Sequence, residues 1–545
     1  MPPDSIWLIK CPKPAVSYCP AADIAVPNHA GTVVEPHPIA RGRGIVAWLA
    51  PDLAMTFALI TLLSLFFLFG GATGLFSDSD TGWHIRNGER ILSAGSLPHA
   101  DPFSFSKPGQ PWIAWEWGAD VLMAAVYRAA GLGGVALLYG LAIGASVWMW
   151  FRLNRAAGGN FLIACLFFVP MLETTTLHWL ARPHIFSWLF LLGAVWWCER
   201  MPHRLQWRHL GLVALATAAW ANLHASFFFA PLIAIVYAAG ACLGPLIWRT
   251  PAKQSLYQFA RSYILVAVAA LAGTLVNPNG WRLHQHVLSY LADFRLLDRI
   301  SEFQSFDFHS AGAFQVMLTI AICFAGGFAA LAERSPARFL LSMLLTAAAL
   351  RSVRALPVAA LLLLPLANGS VTAVLLRAQS LASGLRRGLD SALTYGDRLQ
   401  AIDRGLYGFA IVPLVAILIF MSIRARAGFS AADFPVAGSV RIASLPENAR
   451  IFAPDTFGGY LIYRFNGQRK VFFDGRSDFY GTEFADRYMR LVEVRPGWRS
   501  EFNRWNFTNA LLPPDSPLVA ALEANGWQEL FRDRTAVLLA GKSKL

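Results

Sequence analysis

The chain has 545 residues, of which 56% are hydrophobic and only 14% are charged. Soluble domains carry about a quarter charged residues, so the composition excludes a wholly water-soluble protein. The formal net charge of +13 does not indicate nucleic acid as a partner, because Arg and Lys collect in short loops between apolar runs. We therefore expect the lipid bilayer as a partner and no nucleic acid.

Three regions of the chain differ in composition. Residues 1–50 are rich in proline and polar residues and lack the layout of a signal peptide, so we interpret them as a disordered cytoplasmic tail. Residues 51–430 are dominated by apolar runs and form the predicted transmembrane domain, with a long first periplasmic loop at residues 76–120. Residues 431–545 are more hydrophilic and form the predicted periplasmic domain.

Eleven apolar runs predict membrane helices, each of which needs about 20 residues to cross a bilayer. The runs are 53–75, 121–151, 160–172, 184–198, 209–221, 225–248, 262–276, 313–332, 337–350, 354–367 and 406–423. Basic residues mark every second loop, which places those loops and the N terminus in the cytoplasm. The other loops and the C-terminal domain are then periplasmic, in a multi-pass protein of the bacterial inner membrane.

Short strand and helix patterns alternate in the C-terminal region. Strands are predicted at 451–453, 460–463, 470–473, 510–512 and 536–539, and helices at 483–494 and 517–524. This alternation is typical of a small α/β domain. The predicted fold class is therefore an α-helical polytopic membrane protein, with about eleven transmembrane helices and a small C-terminal α/β soluble domain.

Polar side chains that could bind a substrate or take part in catalysis are concentrated in the predicted periplasmic loops. The candidate site residues among them are Asp78, Asp80, His84, Asp101, Glu116, His178, Arg182, His184, Asn222, His224 and His284. The same loops also carry Glu173, Asn277, Asn279, His286, Arg351 and Arg354. Polar groups are costly in a membrane protein, so loops that are distant in the chain but share these residues predict one cavity at the outer interface. A lipid-borne substrate can meet a water-borne one at such a place.

Asp78 and Asp80 follow the first membrane helix directly. Asp80 could simply cap the next helix. Alternatively, one carboxylate accepts a proton while the other orients it or holds a divalent cation such as Mg²⁺ or Mn²⁺, with Asp78 and Asp80 as the metal ligands. His84, four residues after Asp80, would share its helical face.

Arg182 lies in the segment Arg182-Pro183-His184 and is either an interface anchor or a phosphate ligand, for which a fixed guanidinium is well suited. Asn222 and His224 interrupt an apolar hairpin and fit a buried turn nearly as well as a site. The Trp residues beside Glu116 fit an interfacial belt or a sugar-stacking surface. No His/Cys group has the compact spacing of a zinc site.

The segment Asp80-Thr81-Gly82-Trp83-His84, followed by a helix, Gly95 and Pro98, resembles the first periplasmic loop of GT-C membrane glycosyltransferases. The resemblance is to bacterial members similar to protein O-mannosyltransferases and aminoarabinose transferases. Asp80 falls where their catalytic Asp stands, whereas Thr81 replaces the adjacent Glu. A bacterial subgroup also carries a C-terminal segment similar to residues 473–480.

The resemblance implies an inverting glycosyltransferase that takes a sugar from a polyprenyl-phosphate donor to a glycan, lipid or protein acceptor. Asp80 would deprotonate the acceptor, with Asp78 in support, and Arg182, His178 or His224 would steady the leaving phosphate. Glu116 would help to bind sugar or acceptor. Two other interpretations stay open: a lipid-sugar transporter, and a non-catalytic scaffold that presents the C-terminal domain.

Overall fold

The computed structural model describes residues 48–248, 253–403 and 406–541. The predicted N-terminal tail, residues 1–50, lies almost wholly outside the described residues. In chain order, the helices of the membrane domain are α1 (Leu53–Phe67), α2 (Gly71–Gly74), α3 (Asp80–Ala94), α4 (Trp117–Ala156), α5 (Phe161–Thr176), α6 (His184–Glu199), α7 (Trp207–Leu223), α8 (Phe229–Ile247), α9 (Lys253–Thr274), α10 (Trp281–Ala292), α11 (Phe294–Leu297), α12 (Ala313–Ala332), α13 (Pro336–Arg351), α14 (Leu356–Arg377), α15 (Ser383–Ile402) and α16 (Ile411–Ile423). Three single 3-10 turns, Ala225–Phe228, Ser301–Phe303 and Val353–Ala355, precede α8, α12 and α14.

Each of the eleven predicted apolar runs contains a helix in the structure. Within the described residues, five helical segments are long and apolar enough to cross a membrane alone: Trp117–Ala156, Ala225–Ile247, Lys253–Thr274, Ala313–Ala332 and Val353–Arg377. Four shorter apolar helices, α1, α5, α6 and α16, accompany them. The chain is thus a polytopic helical membrane protein, as predicted.

Glycines divide two of the predicted runs. The first run, 53–75, is not one helix, because Gly70 and Gly71 adopt the left-handed φ values of 71° and 66° and separate α1 from α2. In α4, Gly131 has φ 63° and ψ −162°, so the helix is kinked there. The part of α4 before this kink packs along α3 of the first loop.

The two ends of the helical bundle hold different ion pairs. At one end, Asp52 before α1 pairs with Arg152 near the end of α4. At the other end, Arg182 between α5 and α6 contacts Asp78, which follows α2. Successive loops therefore lie at opposite ends of the helical bundle, as expected when successive helices cross a membrane in opposite directions.

The C-terminal domain contains α17 (Val436–Ala443), β1 (Ile451–Phe452), α18 (Asp455–Arg464), α19 (Ser477–Val492), α20 (Trp498–Arg504), β2 (Asn509–Leu512), α21 (Pro517–Glu523), β3 (Gln528–Arg532) and β4 (Val537–Ala540). The sheet order is β1-β2-β4-β3. β1 pairs with β2 in parallel, and the other two pairs are antiparallel. A small α/β domain is therefore present, although its predicted boundaries, 431–545, stay a prediction.

Two of the predicted strands in this domain are wrong, and one strand was missed. Residues 460–463 lie inside α18, and their apolar side chains form part of the buried face of that helix. Residues 470–473 form no regular strand; only Val471 makes a parallel bridge, to Ser104 of the first loop. The sequence did not predict β3, because β3 is an exposed edge strand without alternating apolar residues.

The first loop and the C-terminal domain share one hydrophobic core. Trp83, Phe103 and Trp112 of the loop are buried in the same cluster as Phe452 and Phe472 of the domain. This contact explains why a hydrophilic domain of mixed structure is held against the membrane bundle, rather than standing free on a linker.

A glycine contact sets the distance between α3 and α18. A Cβ atom added to Gly459 would lie 2.2 Å from the carbonyl oxygen of Ser79, and one added to Gly82 would lie 2.3 Å from the carbonyl oxygen of Gly459. Both distances are far below van der Waals contact, so α18 can approach the start of α3 only because these positions carry no side chain.

We expect Gly459→Ala to destabilise the docked domain by about 1–3 kcal/mol, the usual cost of overpacking. The measurement is thermal unfolding of the detergent-purified protein, followed by limited proteolysis between the domains. Gly211→Ala is the matched control, because a Cβ there meets nothing within 4 Å. Equal melting temperatures for the two variants would contradict the prediction.

Candidate functional site

Asp78 and Asp80 have different tasks at the start of α3. Asp78 Oδ1 accepts a hydrogen bond from the backbone N–H of Asp80 at 2.8 Å, so Asp78 satisfies a free donor of the first turn. The N-cap residue, Ser79, makes no such bond with its side chain. The capping role considered for Asp80 therefore belongs to Asp78, and the Asp80 carboxylate is left to face other elements.

Arg182 lies at the centre of a cluster of carboxylates. Its Nη1 is 2.8 Å from Asp78 Oδ2 and 2.8 Å from Glu302 Oε1, and its Nη2 is 2.9 Å from Asp80 Oδ2. Arg354 Nη2 contacts the second oxygen of Glu302 at 2.5 Å. Four loops that are distant in the chain thus meet through two guanidinium groups and three carboxylates. We call Asp78, Asp80, Arg182, Glu302 and Arg354 the Arg182 cluster.

Burial controls the charge state of the cluster. Asp80 is only 5% exposed. Burial, together with the neighbouring Asp78 charge, raises the pKa of Asp80 to about 7, although Arg182 opposes the shift. Burial also disfavours the charge of Glu302, but Arg354 and Arg182 outweigh it and hold the pKa of Glu302 below its usual range. One carboxyl of the cluster therefore titrates near neutral pH while another stays ionised.

The C-terminal domain covers Asp80. A Cβ atom at Gly475 would lie 2.0 Å from Asp80 Oδ1, so the backbone of this segment is in direct contact with the carboxylate. Nearby, Asp478 Oδ2 lies 3.0 Å from His286 Nε2 of α10, and Ser477 Oγ lies 3.1 Å from Tyr290 Oη. Residues 475–478 thus form one wall of the candidate site.

A second set of polar residues surrounds Glu116, the residue before α4. Glu116 Oε2 is 3.7 Å from His84 Nε2, and Oε1 is 3.4 Å from His224 Nε2. His84 Nδ1 is 2.6 Å from Asp120 Oδ1. Burial, followed by the charge of Asp120, raises the pKa of Glu116 to about 8. We call Asp120, His84, Glu116 and His224 the Glu116 cluster.

His178 and His184 lie between these two groups. His184 Nε2 is 2.9 Å from the carbonyl oxygen of His178, and its ring centroid is 6.5 Å from that of His224. Burial lowers the pKa of His178 to about 4, so this imidazole is neutral at physiological pH. Neutral imidazoles can donate hydrogen bonds to an anion but contribute no full positive charge.

The structure places three predicted site residues in other contacts. Asn222 accepts from Trp117 Nε1 at 2.9 Å and donates to the carbonyl of Val276. His284 Nε2 contacts Thr274 Oγ1 at 2.9 Å. These contacts join helix ends. The predicted role of Asn222 and His284 in substrate binding stays a prediction.

Asp101 is the third of these residues. It pairs with Arg476 of the C-terminal domain, with Asp101 Oδ1 2.8 Å from Arg476 Nη1. It also accepts from the backbone N–H groups of Phe103 and Ser104. Asp101 therefore fastens the first loop to the domain, and its predicted substrate contact stays untested.

Sequence reasoning omitted Asp120 and Glu302 from these groups, and it placed Arg354 at the outer interface without giving it a role. Asp120 was available as an acid four residues after Glu116, at the start of an apolar run, where a charge is costly. Glu302 and Arg354 stand in separate loops without a motif around them. Only the folded chain shows that Glu302 contacts Arg182 and that Arg354 contacts Glu302.

The predicted divalent cation at Asp78 and Asp80 does not fit this arrangement. Both carboxylates contact the same Arg182 guanidinium, and a cation between them would meet that positive charge. Across residues 48–248, 253–403 and 406–541, no group of three or more His, Cys, Asp or Glu side chains is arranged to hold a metal ion. We derive no step through a metal.

The solved structures that are similar to this chain include two membrane glycosyltransferases of the GT-C class, the class that the sequence resembles. One is the oligosaccharyltransferase of Archaeoglobus fulgidus in its apo form, with 11% identity, a TM-score of 0.48, and coverage of 84% of this chain and 69% of that chain. The other is ArnT from Cupriavidus metallidurans bound to undecaprenyl phosphate, with 15% identity, a TM-score of 0.43, and coverage of 90% and 97%. No family model and no curated protein matches the chain.

Proposed function

We propose that the protein is an inverting glycosyltransferase of the bacterial inner membrane, which moves a sugar from a polyprenyl-phosphate donor to an envelope acceptor at the periplasmic face. One observation carries the proposal: a buried carboxyl, Asp80, lies 2.9 Å from the guanidinium of Arg182, where helix ends meet a soluble domain. The N terminus is then cytoplasmic and the C-terminal domain periplasmic.

Asp80 is suited to be the general base. A base with a pKa near the working pH is ionised often enough to act and still holds a proton well. In an inverting transfer the acceptor hydroxyl attacks the anomeric carbon directly, and its proton passes to Asp80. Asp78 supports this role, because it fixes the backbone of Asp80 and its charge raises the pKa of Asp80.

Arg182 is suited to hold the phosphate of the donor. A guanidinium donates two parallel hydrogen bonds to phosphate oxygens. In the structure Arg182 bridges three carboxylates, so a phosphate would replace one of them, and Arg354 would keep Glu302 paired when that happens. ArnT from Cupriavidus metallidurans has undecaprenyl phosphate bound in its crystal structure, and we propose a lipid of the same chemical class as the donor here.

Residues 475–478 are placed to contact the acceptor. Their backbone touches Asp80, and they join α10 through Asp478 and His286. An acceptor that reaches Asp80 must pass this segment. The C-terminal domain would then select the acceptor, while the membrane bundle would bind the lipid donor.

We expect Asp80→Asn to lower transfer by about 10²–10⁴-fold, the usual contribution of a general base. Envelope glycans and the polyprenyl-linked sugar pool of a deletion strain would be compared by mass spectrometry after expression of wild type, Asp80→Asn or Asp78→Asn at matched membrane levels. Wild type should add one sugar and consume one lipid donor.

Asp390→Asn is the matched control, because Asp390 lies on α15 in a surface pair with Arg386. It should behave as wild type. If wild type changes no glycan and both first-loop variants complement the deletion, the glycosyltransferase proposal is wrong, and the transporter and scaffold interpretations take its place.

A further inference from the structure

We propose that a groove between the first loop and the C-terminal domain binds a phosphate monoester carried by the envelope acceptor. The identity of the acceptor rests on the proposed function, whereas the binding site rests on the groove alone. The groove shares no residue with the Arg182 cluster or the Glu116 cluster.

The groove has the size of a small-molecule site. Its volume is about 420 Å³, and such sites commonly have volumes of about 300–1,000 Å³. It forms where the second half of α3, the extended part of the first loop and the segments on either side of α18 meet. Its lining includes Arg90, Asp101, Phe105, Gly109, Arg450 and Lys470.

Three of the lining residues are cations: Arg90, Arg450 and Lys470. In the part of the chain that the structure describes, none of the three pairs with a carboxylate. Arg450 Nη1 donates to the carbonyl oxygen of Trp505 at 3.1 Å, and Lys470 Nζ donates to the carbonyl oxygen of Pro102. Carbonyl oxygens carry no full negative charge, so these contacts leave the positive charges of the groove without a counterion.

Asp101 also lines the groove, but its charge is already neutralised. Its side chain is fully buried, and its Oδ1 lies 2.8 Å from Arg476 Nη1. Its two oxygens also accept from the backbone N–H groups of Phe103 and Ser104. Because Asp101 is saturated by these donors, the groove keeps an excess of positive charge.

Arg90 and Lys470 lie close enough to repel each other. Burial lowers the pKa of Lys470, and the charge of Arg90 lowers it further, while Asp101 opposes the shift. A groove lined by charges of one sign concentrates ions of the opposite sign. An anion bound between these cations would therefore relieve their repulsion.

The lining favours a phosphate monoester over other anions. A guanidinium donates two parallel hydrogen bonds to phosphate oxygens, and a lysine adds a point charge. A phosphate monoester carries a charge of about −1.5 to −2 near neutral pH. It thus offsets more of the positive charge of Arg90, Arg450 and Lys470 than a single carboxylate does.

Two contacts connect the groove with Asp80. Asp101 of the lining pairs with Arg476, and the adjacent Gly475 is in contact with the Asp80 carboxylate. An acceptor whose phosphate lies in the groove is therefore held beside the segment that covers the proposed base. Arg90 and its neighbours would bind the acceptor without touching its reacting hydroxyl.

Isothermal titration calorimetry of the full-length protein in phosphatidylcholine nanodiscs tests the groove without any sugar transfer. Glucose 6-phosphate is the probe, and glucose is the uncharged comparison. Wild type should bind glucose 6-phosphate but not glucose. Arg90→Gln should weaken the binding about 10-fold or more, the usual effect of losing a hydrogen bond to a charged group. Because the Arg90 side chain has no ion-pair partner among the described residues, this substitution leaves no buried charge unpaired.

Arg450→Gln is the second variant and should weaken the binding to a similar extent. Arg499→Gln is the matched control, because Arg499 is an exposed cation of α20 that lies outside the groove, against the ring of Trp498. It should bind as wild type does. No binding to wild type, or equal affinity in wild type, Arg90→Gln and Arg450→Gln, would overturn the proposal.

Two further titrations identify the source of the phosphate. Inorganic phosphate should bind more weakly than glucose 6-phosphate, and phosphatidic acid in the nanodiscs should leave the affinity for glucose 6-phosphate unchanged. If inorganic phosphate binds equally well, the groove takes free phosphate. If phosphatidic acid lowers the apparent affinity, the groove takes a lipid headgroup. Either result would overturn the assignment to the acceptor.

Transfer kinetics test the link to the acceptor and separate the two proposals. With the acceptor from the glycan comparison, Arg90→Gln should raise its KM about 10-fold, with a smaller change in kcat. If wild type transfers no sugar but Arg90→Gln still weakens the binding of glucose 6-phosphate, the proposed function fails while the phosphate site stands. If wild type transfers sugar but Arg90→Gln keeps its affinity and KM, only the proposal for the groove fails.

Discussion

Arg182→Gln is expected to lower transfer at least about 10²-fold, because it removes the fixed positive charge available to the leaving phosphate. The substitution also leaves three carboxylates without their shared partner. The pKa of Asp80 should rise further above about 7, since Arg182 is the main charge that opposes its shift. Transfer in the variant should therefore need a higher pH as well as show a lower maximum.

The measurement is the pH profile of transfer in membranes with matched protein levels. Arg182→Lys keeps one charge but cannot bridge three carboxylates, so its activity should lie between those of wild type and Arg182→Gln. Arg386→Gln, on α15, is the control, because Arg386 pairs with Asp390 away from the site. Full activity in Arg182→Gln would show that the Arg182 cluster has a purely structural role.

Arg476→Met is expected to have the largest effect on stability, about 3–5 kcal/mol, because it leaves buried carboxylates unpaired. Arg476 is 2% exposed. Its Nε and Nη2 bind both oxygens of Asp474 at 2.8 and 2.7 Å, and its Nη1 is 2.8 Å from Asp101. The guanidinium also lies 4.7 Å from the ring centroid of Trp112.

Thermal and denaturant unfolding of the detergent-purified protein would measure this loss. Arg532→Met is the control, since Arg532 pairs with Glu523 and Glu529 at the surface, where water screens the ion pairs and their loss has little effect on stability. Because Gly475 touches Asp80 and adjoins Arg476, transfer should fall together with stability. A stable variant without transfer would instead place Arg476 in contact with the acceptor.

The Arg476 ion pairs explain how the soluble domain stays aligned with the membrane bundle. The segment that carries Arg476 also supplies the wall over Asp80, so the same few residues hold the first loop and close the candidate site. Buried ion pairs of this kind tolerate little displacement, because each separated charge loses its partner in a low dielectric. The geometry around Asp80 is therefore tied to the docking of the domain.

The sequence by itself determined the class of the protein, because the length and spacing of apolar runs reflect bilayer thickness directly. It also indicated Asp80 and Arg182 as candidate site residues, because Asp80 lies in an acidic segment directly after the first membrane helix and polar groups inside a membrane protein are costly. The helix at 455–464 could not be predicted, because its apolar run of four residues fits a strand as well as a helix.

Tertiary structure alone decided which loop residues meet. Glu302 contacts Arg182 across 120 positions of the chain and Arg354 contacts Glu302 across 52, and no local pattern encodes such contacts. It also gave Asp78 and Asp80 different tasks and joined Asp120 to Glu116 through His84. Local sequence encodes helices through short-range spacing, whereas the charge state of a buried carboxyl depends on neighbours that only the packed chain brings together.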